Sequence, residues 1–300
     1  MNNIYSTHAY QQISELINAT PVRLHLKSID HPFNEINGNK TNNTLNLGLN
    51  APYFFPNFLV QFREINKLSE ILADLLEETR CLHLSSLNVR FPPSVFHNSI
   101  ATMEYLLHSK GFRLTNVALW QTLHCHSFTS LEQYTDSLKS GAKKILRKFE
   151  NLTHSCSEVD TSNITALENS YNLINQNRAN IGTSLKYSFD YLVSLIDTFP
   201  NKIRIFDFSV DETVVASAIC HSTETDILYV AAWGDAKHEL KQSPMYAFAK
   251  ALVGVCMRES IKFLDFGVSS DLNLQTPDLH KFKQNIGCSS AIQNTFTYNL

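Results

Sequence analysis

The chain has 300 residues, of which 43% are hydrophobic, with a formal net charge of −3 and a pI near 6.4. This length admits two domains, and the near-neutral charge excludes bulk attraction to nucleic acid or to an anionic membrane surface. No segment approaches the roughly 18 uncharged apolar residues that span a bilayer, and the N-terminus lacks a basic flank before an apolar run, so we expect a cytoplasmic protein.

The six cysteines are scattered singly, without a C-x-x-C motif, which favours free thiols over a disulfide framework. The tripeptide His124 to His126 has metal-ligand residue types. Because alternate residues of a strand face opposite ways, Cys125 points away from the two histidines. We therefore predict no metal site.

The first half of the chain predicts an α/β domain over residues 1–128. Its first fifty residues indicate an early amphipathic helix, a strand and a loop. A strand at 53–62, an amphipathic helix at 66–80, a strand at 81–93, a helix closed by Gly111 and a strand from Arg113 follow.

A regular amphipathic helix over 130–152 is predicted to open a second domain, 129–300. Its apolar stripe repeats at helical spacing, while Lys144 and Arg147 lie among the lysines of the opposite face. Two interpretations stay open for these basic residues. They form a solvated face, or they contact a phosphate-rich ligand such as CoA, a nucleotide-sugar or tRNA.

The region from Lys202 predicts a three-stranded antiparallel meander, a deep helix and a parallel strand. Its runs are "KIRIFDFSV", "TVVASAICHS" and "ILYVAAWG", with the helix "SPMYAFAKALVGVCMRES" and the strand "IKFLDFGV" after them. Ser243 is the predicted N-cap of this helix, with Pro244 at the first helical position. Tyr229 and Trp233 are predicted to share one face of the third strand, where they pack in the core or stack on a ligand.

The last predicted helix, "TPDLHKFKQNIG", begins after Thr276 and ends at Gly287. Helical spacing places Phe282 and Ile286 with Leu279 on a buried face, with Lys283 beside that face and Lys281 in solvent. The preceding Asp-Phe-Gly triplet lacks the Gly-rich loop, H-R-D and A-P-E of a protein kinase, so Asp265 is predicted to mark a strand end instead of a metal site.

These blocks resemble a known group. Three antiparallel strands, a deep helix and a parallel strand are similar to the core of the GNAT acyltransferase fold. The strings "SPMYAFAKAL", "FLDFGVSSD" and "LHKFKQNIGC" resemble the closing blocks of the Fem family of tandem-GNAT aminoacyl and acyl transferases. The resemblance covers residues 53–300. It implies an α/β fold with mixed sheets, built from two tandem GNAT-like domains.

The resemblance also implies a function, in which an amine directly attacks an activated acyl donor to form an amide on a cell-envelope precursor, such as an amino sugar, a nucleotide-sugar or a peptidoglycan peptide. Acyl-CoA and aminoacyl-tRNA both stay open as donors; the Gly-rich CoA loop is missing, and so is the helical-hairpin arm of many tRNA-dependent members. Aminoacyl-tRNA-dependent transfer to peptidoglycan and a non-catalytic binding module are the alternatives.

The resemblance finally implies site residues. Arg178 and Lys283 match family positions that contact phosphate, and Ser243, with Lys237 or Lys241, lies where GNAT enzymes bind pyrophosphate at the start of the deep helix. Asp265 orients an amine or caps a turn. The predicted catalytic residues are thus Asp265 and Tyr229; the predicted substrate-binding residues are Lys283, Arg178, Trp233, Ser243, Lys144 and Arg147.

Overall fold

The computed structural model describes most of the chain, namely residues 5, 7–13, 19–29, 34–49, 59, 62–185, 188–223, 226–236, 243–272 and 275–300. Lys237, Lys241 and nearly all of the strand predicted at 53–62 lie outside these residues. Contacts divide the chain into two compact units: Met1–Trp120 with Ser270–Gln275 and Ala291–Leu300, and Gln121–Ser269 with Thr276–Ser290. These boundaries differ from the predicted domains because the last strand returns to the first unit, and the GNAT-like character of each domain stays a prediction.

The first unit contains a mixed sheet and several helices. Its strands run in the order β1-β2-β3-β4-β11-β5, with β3 and β4 parallel and the hairpins β1–β2 and β2–β3 antiparallel. The elements are α1 (His8–Ile13), β1 (Thr20–His25), β2 (Glu35–Thr41), β3 (Thr44–Leu47), α2 (Ile65–Cys81), β4 (Ser86–Arg90), α3 (Ser99–Ser109), β5 (Arg113–His124) and β11 (Ser289–Asn299).

The predicted helices and strands of 66–128 are confirmed, and so are the early helix and strand of the first fifty residues, whereas the loop predicted after them is wrong. The Asn-rich stretch after residue 34 forms the hairpin β2–β3 instead of a loop. The hairpin turns at Asn42, whose φ of 53° is a left-handed conformation that asparagine tolerates better than most residues. Polar composition therefore concealed strands that are held by their backbone pairing.

The second unit carries the predicted meander. Its strands run in the order β10-β9-β8-β7-β6; β7, β8 and β9 are antiparallel, and β10 pairs parallel with β9, as predicted. The elements are α4 (Leu131–Ser137), α5 (Ser140–Phe149), β6 (His154–Glu158), α6 (Ile164–Asn180), α7 (Phe189–Thr198), β7 (Ile203–Val210), β8 (Thr213–Thr223), β9 (Ile227–Asp235), α8 (Met245–Arg258), β10 (Phe263–Asp271) and α9 (Pro277–Asn285). Mixed α/β architecture is thus confirmed.

Helices cover both faces of this sheet. The apolar side chains of α5 and α8 pack in one core cluster with Leu228, Val230 and Trp233 of β9. On the other face, Ser170 of α6 donates a hydrogen bond to Asp207 of β7 at 2.9 Å. None of the described helices has both the length and the hydropathy to cross a membrane.

The single helix predicted over 130–152 is wrong, because the helix breaks between α4 and α5. Leu138 ends α4 with a ψ of 154°, and Lys139 precedes α5 with a ψ of 151°. The hydroxyl groups of Thr135 and Ser137 bond to carbonyls of the preceding turn, which weakens the ladder there, and Gly141 follows. The apolar stripe survives the break, since Tyr134, Leu138, Ala142 and Phe149 are all buried.

A β-bulge in β9 changes which side chains share a face. The register pairs Val230 with Cys220 and Ala232 with Ile219, which leaves Ala231 without an opposite residue in β8. One extra residue reverses the alternation after the bulge. The prediction that Tyr229 and Trp233 share a face is therefore wrong: Trp233 joins the α8 core cluster, and Tyr229 packs on His221 instead.

Candidate functional site

A cavity of about 270 Å³ opens in the second unit where β9 and β10 separate. Their parallel register covers three pairs, from Ile227 with Phe263 to Tyr229 with Asp265, and the following residues of β9 line the cavity. Five of the eight predicted site residues line it together: Arg178, Tyr229, Trp233, Ser243 and Lys283.

The C-terminal end of α6 contributes two polar side chains to the lining. Arg178 donates from Nη2 to the backbone oxygen of Trp233 at 3.3 Å. Its neighbour Asn177 donates from Nδ2 to the backbone oxygen of Asp235 at 2.8 Å and to the carboxylate Oδ1 of Asp235 at 2.7 Å. Gly234 permits this approach, since a Cβ there would lie 2.7 Å from the Cβ of Asn177.

Ser243 links the same carboxylate to the start of α8. Its Oγ donates to Oδ2 of Asp235 at 3.0 Å and accepts from the backbone N–H of Met245 at 3.4 Å. The helix begins at Met245 with Pro244 as its N-cap, so the prediction of Ser243 as N-cap is wrong by one residue. Ser243 nonetheless satisfies one of the unpaired N–H groups at this helix end.

Asn177 and Asp235 are site residues that the sequence reasoning missed. The two residues hold the end of α6, the end of β9 and, through Ser243, the approach to α8 in one hydrogen-bonded network. One feature of the sequence could have indicated them, namely the pair Gly234-Asp235 that ends the apolar run of β9. A glycine followed by a carboxylate at a strand end indicates a close backbone approach beside a polar group.

Lys283 is buried, with 2% of its surface exposed, whereas Lys281 is exposed as predicted. Its ammonium donates to the backbone oxygens of Phe266 at 2.6 Å, Gly267 at 3.0 Å and Val268 at 2.8 Å.

Burial lowers the pKa of Lys283 to about 8, against the opposing effect of Cys288 and Asp265. All three ammonium hydrogens are thus directed at β10, and a direct phosphate contact stays a prediction.

Asp265 is fully buried and does not belong to the described lining of the cavity. Its Oδ1 accepts hydrogen bonds from Oγ1 of Thr122 and from the backbone N–H of Gly267, both at 2.9 Å. Burial raises the pKa of Asp265 well above its ordinary value, with the Gly267 bond and Lys283 acting against the rise. Asp265 thus bonds to Thr122 and to the backbone of its own strand, and catalysis by Asp265 stays a prediction.

Tyr229 and Trp233 both reach the cavity from β9, from opposite faces of the strand. The Tyr229 ring lies against Gly267, at which φ is +63° and β10 continues to Asp271 instead of ending as predicted. The Trp233 ring packs on Phe266 with a centroid distance of 4.8 Å, so it serves both core and cavity. The two interpretations of Trp233, core packing and ligand contact, are compatible.

Lys144 and Arg147 are not brought to this cavity. Both side chains are exposed on α5, and the described cavity lining comes from other elements. Their assignment to substrate binding stays a prediction without support from the site geometry. Among the described residues, no three His, Cys, Asp or Glu side chains come together as a metal-binding group.

Comparison with solved structures gives a likeness over nearly the whole chain. FemX superposes with a TM-score of 0.75 at 10% sequence identity, covering 99% of this chain and 92% of its own. The chain has the FemX fold. The resemblance to the Fem group, which rested on three short strings, is therefore confirmed for the structure.

Two further structures share the fold. The C-terminal DUF2156 domain of a putative lysylphosphatidylglycerol synthetase from Agrobacterium fabrum has a TM-score of 0.61 at 9% identity, covering 98% of this chain and 88% of its own. L-PGS from Bacillus licheniformis has a TM-score of 0.58 at 11% identity, covering 98% and 87%. No protein-family profile and no curated protein sequence matches the chain.

Proposed function

We propose that the protein is an N-acyltransferase that uses the cavity between β9 and β10. The observation that carries the proposal is a bulged strand lining a cavity with two cationic side chains, in a chain with the FemX fold. Transfer of an acyl group to an amine requires positioning and stabilisation of charge, and it requires no side-chain nucleophile.

The bulge supplies the group that this chemistry needs. Ala231 lines the cavity and has no opposite residue in β8, so its backbone N–H is suited to bond a developing oxyanion. The amine nitrogen attacks the acyl carbonyl carbon, the new C–N bond forms, and the C–O or C–S bond to the donor breaks. The electron pair leaves with the donor oxygen or sulfur, which takes up the proton that the amine releases.

The cations favour a substrate that carries phosphate. Arg178 is half-buried, lines the cavity and offers a planar set of donors that matches a phosphate group. Lys283 directs its N–H groups at carbonyls, and its positive charge also favours an anionic group in the cavity. The proposed acceptor is accordingly an amino group on a cell-envelope precursor such as a nucleotide-sugar or a peptidoglycan peptide.

The donor is acyl-CoA or aminoacyl-tRNA, and one assay separates them. Purified protein is incubated with an amine-acceptor panel and either donor class, with and without ribonuclease, and amide products are identified by mass spectrometry. Loss of product on ribonuclease treatment identifies tRNA as the donor carrier. Tight acceptor binding without product from either class would instead favour the non-catalytic binding module.

Substitution of Arg178 tests the site assignment. We expect Arg178→Gln to raise KM for the phosphate-bearing substrate by about tenfold or more with a smaller change in kcat, because it removes a charged contact made before the chemical step. Arg113→Gln is the matched control, since Arg113 is exposed on β5 and does not line the cavity. Equal kinetics for the two variants would refute the assignment of Arg178.

A further inference from the structure

The aromatic side chains of the cavity form a wall that continues into the core. Trp233, Phe266 and Phe282, here called the aromatic wall, all line the cavity, with Trp233 packed on Phe266 at 4.8 Å and on Phe282 at 5.8 Å between ring centroids. Behind the wall, Trp233 packs on Phe248 at 6.3 Å. The wall is therefore supported by buried rings and cannot easily move aside.

Apolar side chains also remain exposed at the cavity. Ile181 and Leu279 line it with 48% and 36% of their surfaces exposed. Leu279 was predicted to lie on the buried face of α9, and its exposure corrects that prediction. Apolar side chains that continue from an aromatic wall onto an exposed surface are typical of a binding site for an apolar group.

The size of the cavity limits that group. Its volume of about 270 Å³ lies below the ~300–1,000 Å³ of pockets for drug-sized ligands, so the group that it encloses is compact, and a longer chain would extend out of it over Ile181 and Leu279. A polar group pressed on the wall would lose its hydration without gaining a hydrogen bond, which penalises polar groups of equal size.

We propose that the aromatic wall selects the acyl group of the donor, and that this group carries a compact branched or aromatic apolar substituent. This proposal rests on the proposed function, because only an acyltransferase has an acyl donor to select. Trp233 and Phe282 are the specificity-determining residues. The bulge at Ala231 is what turns Trp233 to this position, next to the backbone group proposed to hold the carbonyl oxygen.

Small amides that mimic the acyl group alone test the selection. Dissociation constants of N-methylisovaleramide and of its polar isostere N-methylmalonamide are measured by chemical-shift titration of the full chain. We expect the isovaleramide to bind at least tenfold more tightly, because the wall offers no partner for the polar amide. Equal affinities, or no binding of either probe, would overturn the proposal.

Substitutions in the wall sharpen the test. Phe282 is half-buried, so Phe282→Leu is expected to fold and to improve binding of N-methyl-3-phenylpropionamide relative to N-methylisovaleramide at least fivefold. Trp233→Phe should shift the ratio the same way. Phe208→Leu is the matched control, because Phe208 is buried against Phe248 without lining the cavity. A ratio unchanged in both wall variants, or changed equally in the control, would contradict the assignment.

The same probes separate this inference from the proposed function. Retained discrimination among the amides without amide formation from either donor class would refute acyl transfer and leave the apolar selection standing. Amide formation with no preference among donors of different acyl groups would refute the selection alone.

Discussion

At the scale of single residues, Gly267 explains why the Asp-Phe-Gly triplet is present. Its φ of +63° is a left-handed conformation, and a Cβ there would lie 3.0 Å from Cε2 of Tyr229. Gly267 donates its backbone N–H to Asp265, and its carbonyl accepts from Lys283 together with those of Phe266 and Val268. The triplet therefore shapes a strand beside a cavity.

Gly267→Ala is expected to lower the free energy of unfolding by about 1–2 kcal/mol from the left-handed conformation alone, and by more through the contact with Tyr229. In a double-mutant cycle with Tyr229→Leu, the loss of stability that comes from the contact with Tyr229 should disappear. The loss that comes from the left-handed backbone conformation should remain. Chemical denaturation measures both. Gly141→Ala is the control: nothing lies within 4 Å of its added Cβ, so it should be neutral or stabilising, and an equal loss there would contradict the account.

Lys283→Met is expected to lower the free energy of unfolding by on the order of 3 kcal/mol, because three carbonyl oxygens lose their donor. The exposed Lys281→Met should change it by less than about 0.5 kcal/mol. Chemical denaturation of both variants checks this, and similar losses would contradict a structural role for Lys283.

Lys283 also predicts a pH dependence. Its pKa is about 8 in the folded chain and 10.5 ordinarily, so between these values the unfolded chain holds the extra proton. Stability rises with pH wherever the unfolded state binds more protons. The free energy of unfolding of the wild type, minus that of Lys283→Met, should therefore increase from pH 8 to 10.5. A flat or falling difference would contradict the lowered pKa.

For single residues, the sequence predicted correctly those properties that depend only on a residue's position along a helix. Helical spacing correctly separated buried Lys283 from exposed Lys281. Helical spacing could not indicate which groups accept hydrogen bonds from the buried ammonium. The three carbonyl acceptors belong to β10, 15 to 17 positions earlier in the sequence. Asn177 and Asp235 escaped for the same reason, since their bond joins residues 58 apart in sequence.

At the scale of elements, Arg204 joins β7 to two neighbouring segments. Its guanidinium bonds Glu158 of β6 at 2.6 Å and Glu259, which follows α8, also at 2.6 Å, and its side chain is 12% exposed. Arg204→Ala should lower the free energy of unfolding by about 1–3 kcal/mol, because two carboxylates lose a shared and largely buried partner. The exposed pair Lys262 and Asp226 is the control, where Lys262→Ala should cost less than about 1 kcal/mol.

The same contact predicts a loss of stability in acid. Arg204 lowers the pKa of Glu259, so this contribution is complete above the ordinary pKa of 4.5 and disappears as pH falls through the lower folded value. Denaturation curves of wild type and Arg204→Ala should converge as pH drops below 4.5. A difference independent of pH would show that the carboxylate contact does not stabilise the fold.

For helices and strands, the sequence predicted the type and the order of the elements correctly. It failed where a single residue introduces a bulge in a strand or a break in a helix. The meander, α8 and β10 were evident because their apolar runs match strand and helix periods. The bulge at Ala231 leaves no mark in the run "ILYVAAWG", since every residue around it is apolar. The break between α4 and α5 is equally concealed, because the apolar stripe keeps its helical spacing across it.

At the scale of the whole molecule, the fold could be predicted from the order of a few short strand and helix strings along the chain. This order resembles that of the Fem family even though the overall sequence identity is low. FemX shares 10% of its residues with this chain and yet superposes over 99% of it. The composition of the two units was harder to predict. The last strand belongs with residues of the N-terminal half, and no local pattern indicates where a terminal strand inserts.

The proposed transfer requires direct attack of the amine on the acyl donor, without a covalent intermediate on the protein. The measurement is the intact mass of the protein incubated with the acyl donor alone, followed by mass spectrometry of the product after addition of a ¹⁵N-labelled amine acceptor. We predict an unmodified protein mass and an amide that carries the labelled nitrogen. An acyl adduct on a protein side chain, or folded protein that yields no amide from either donor class, would contradict the account.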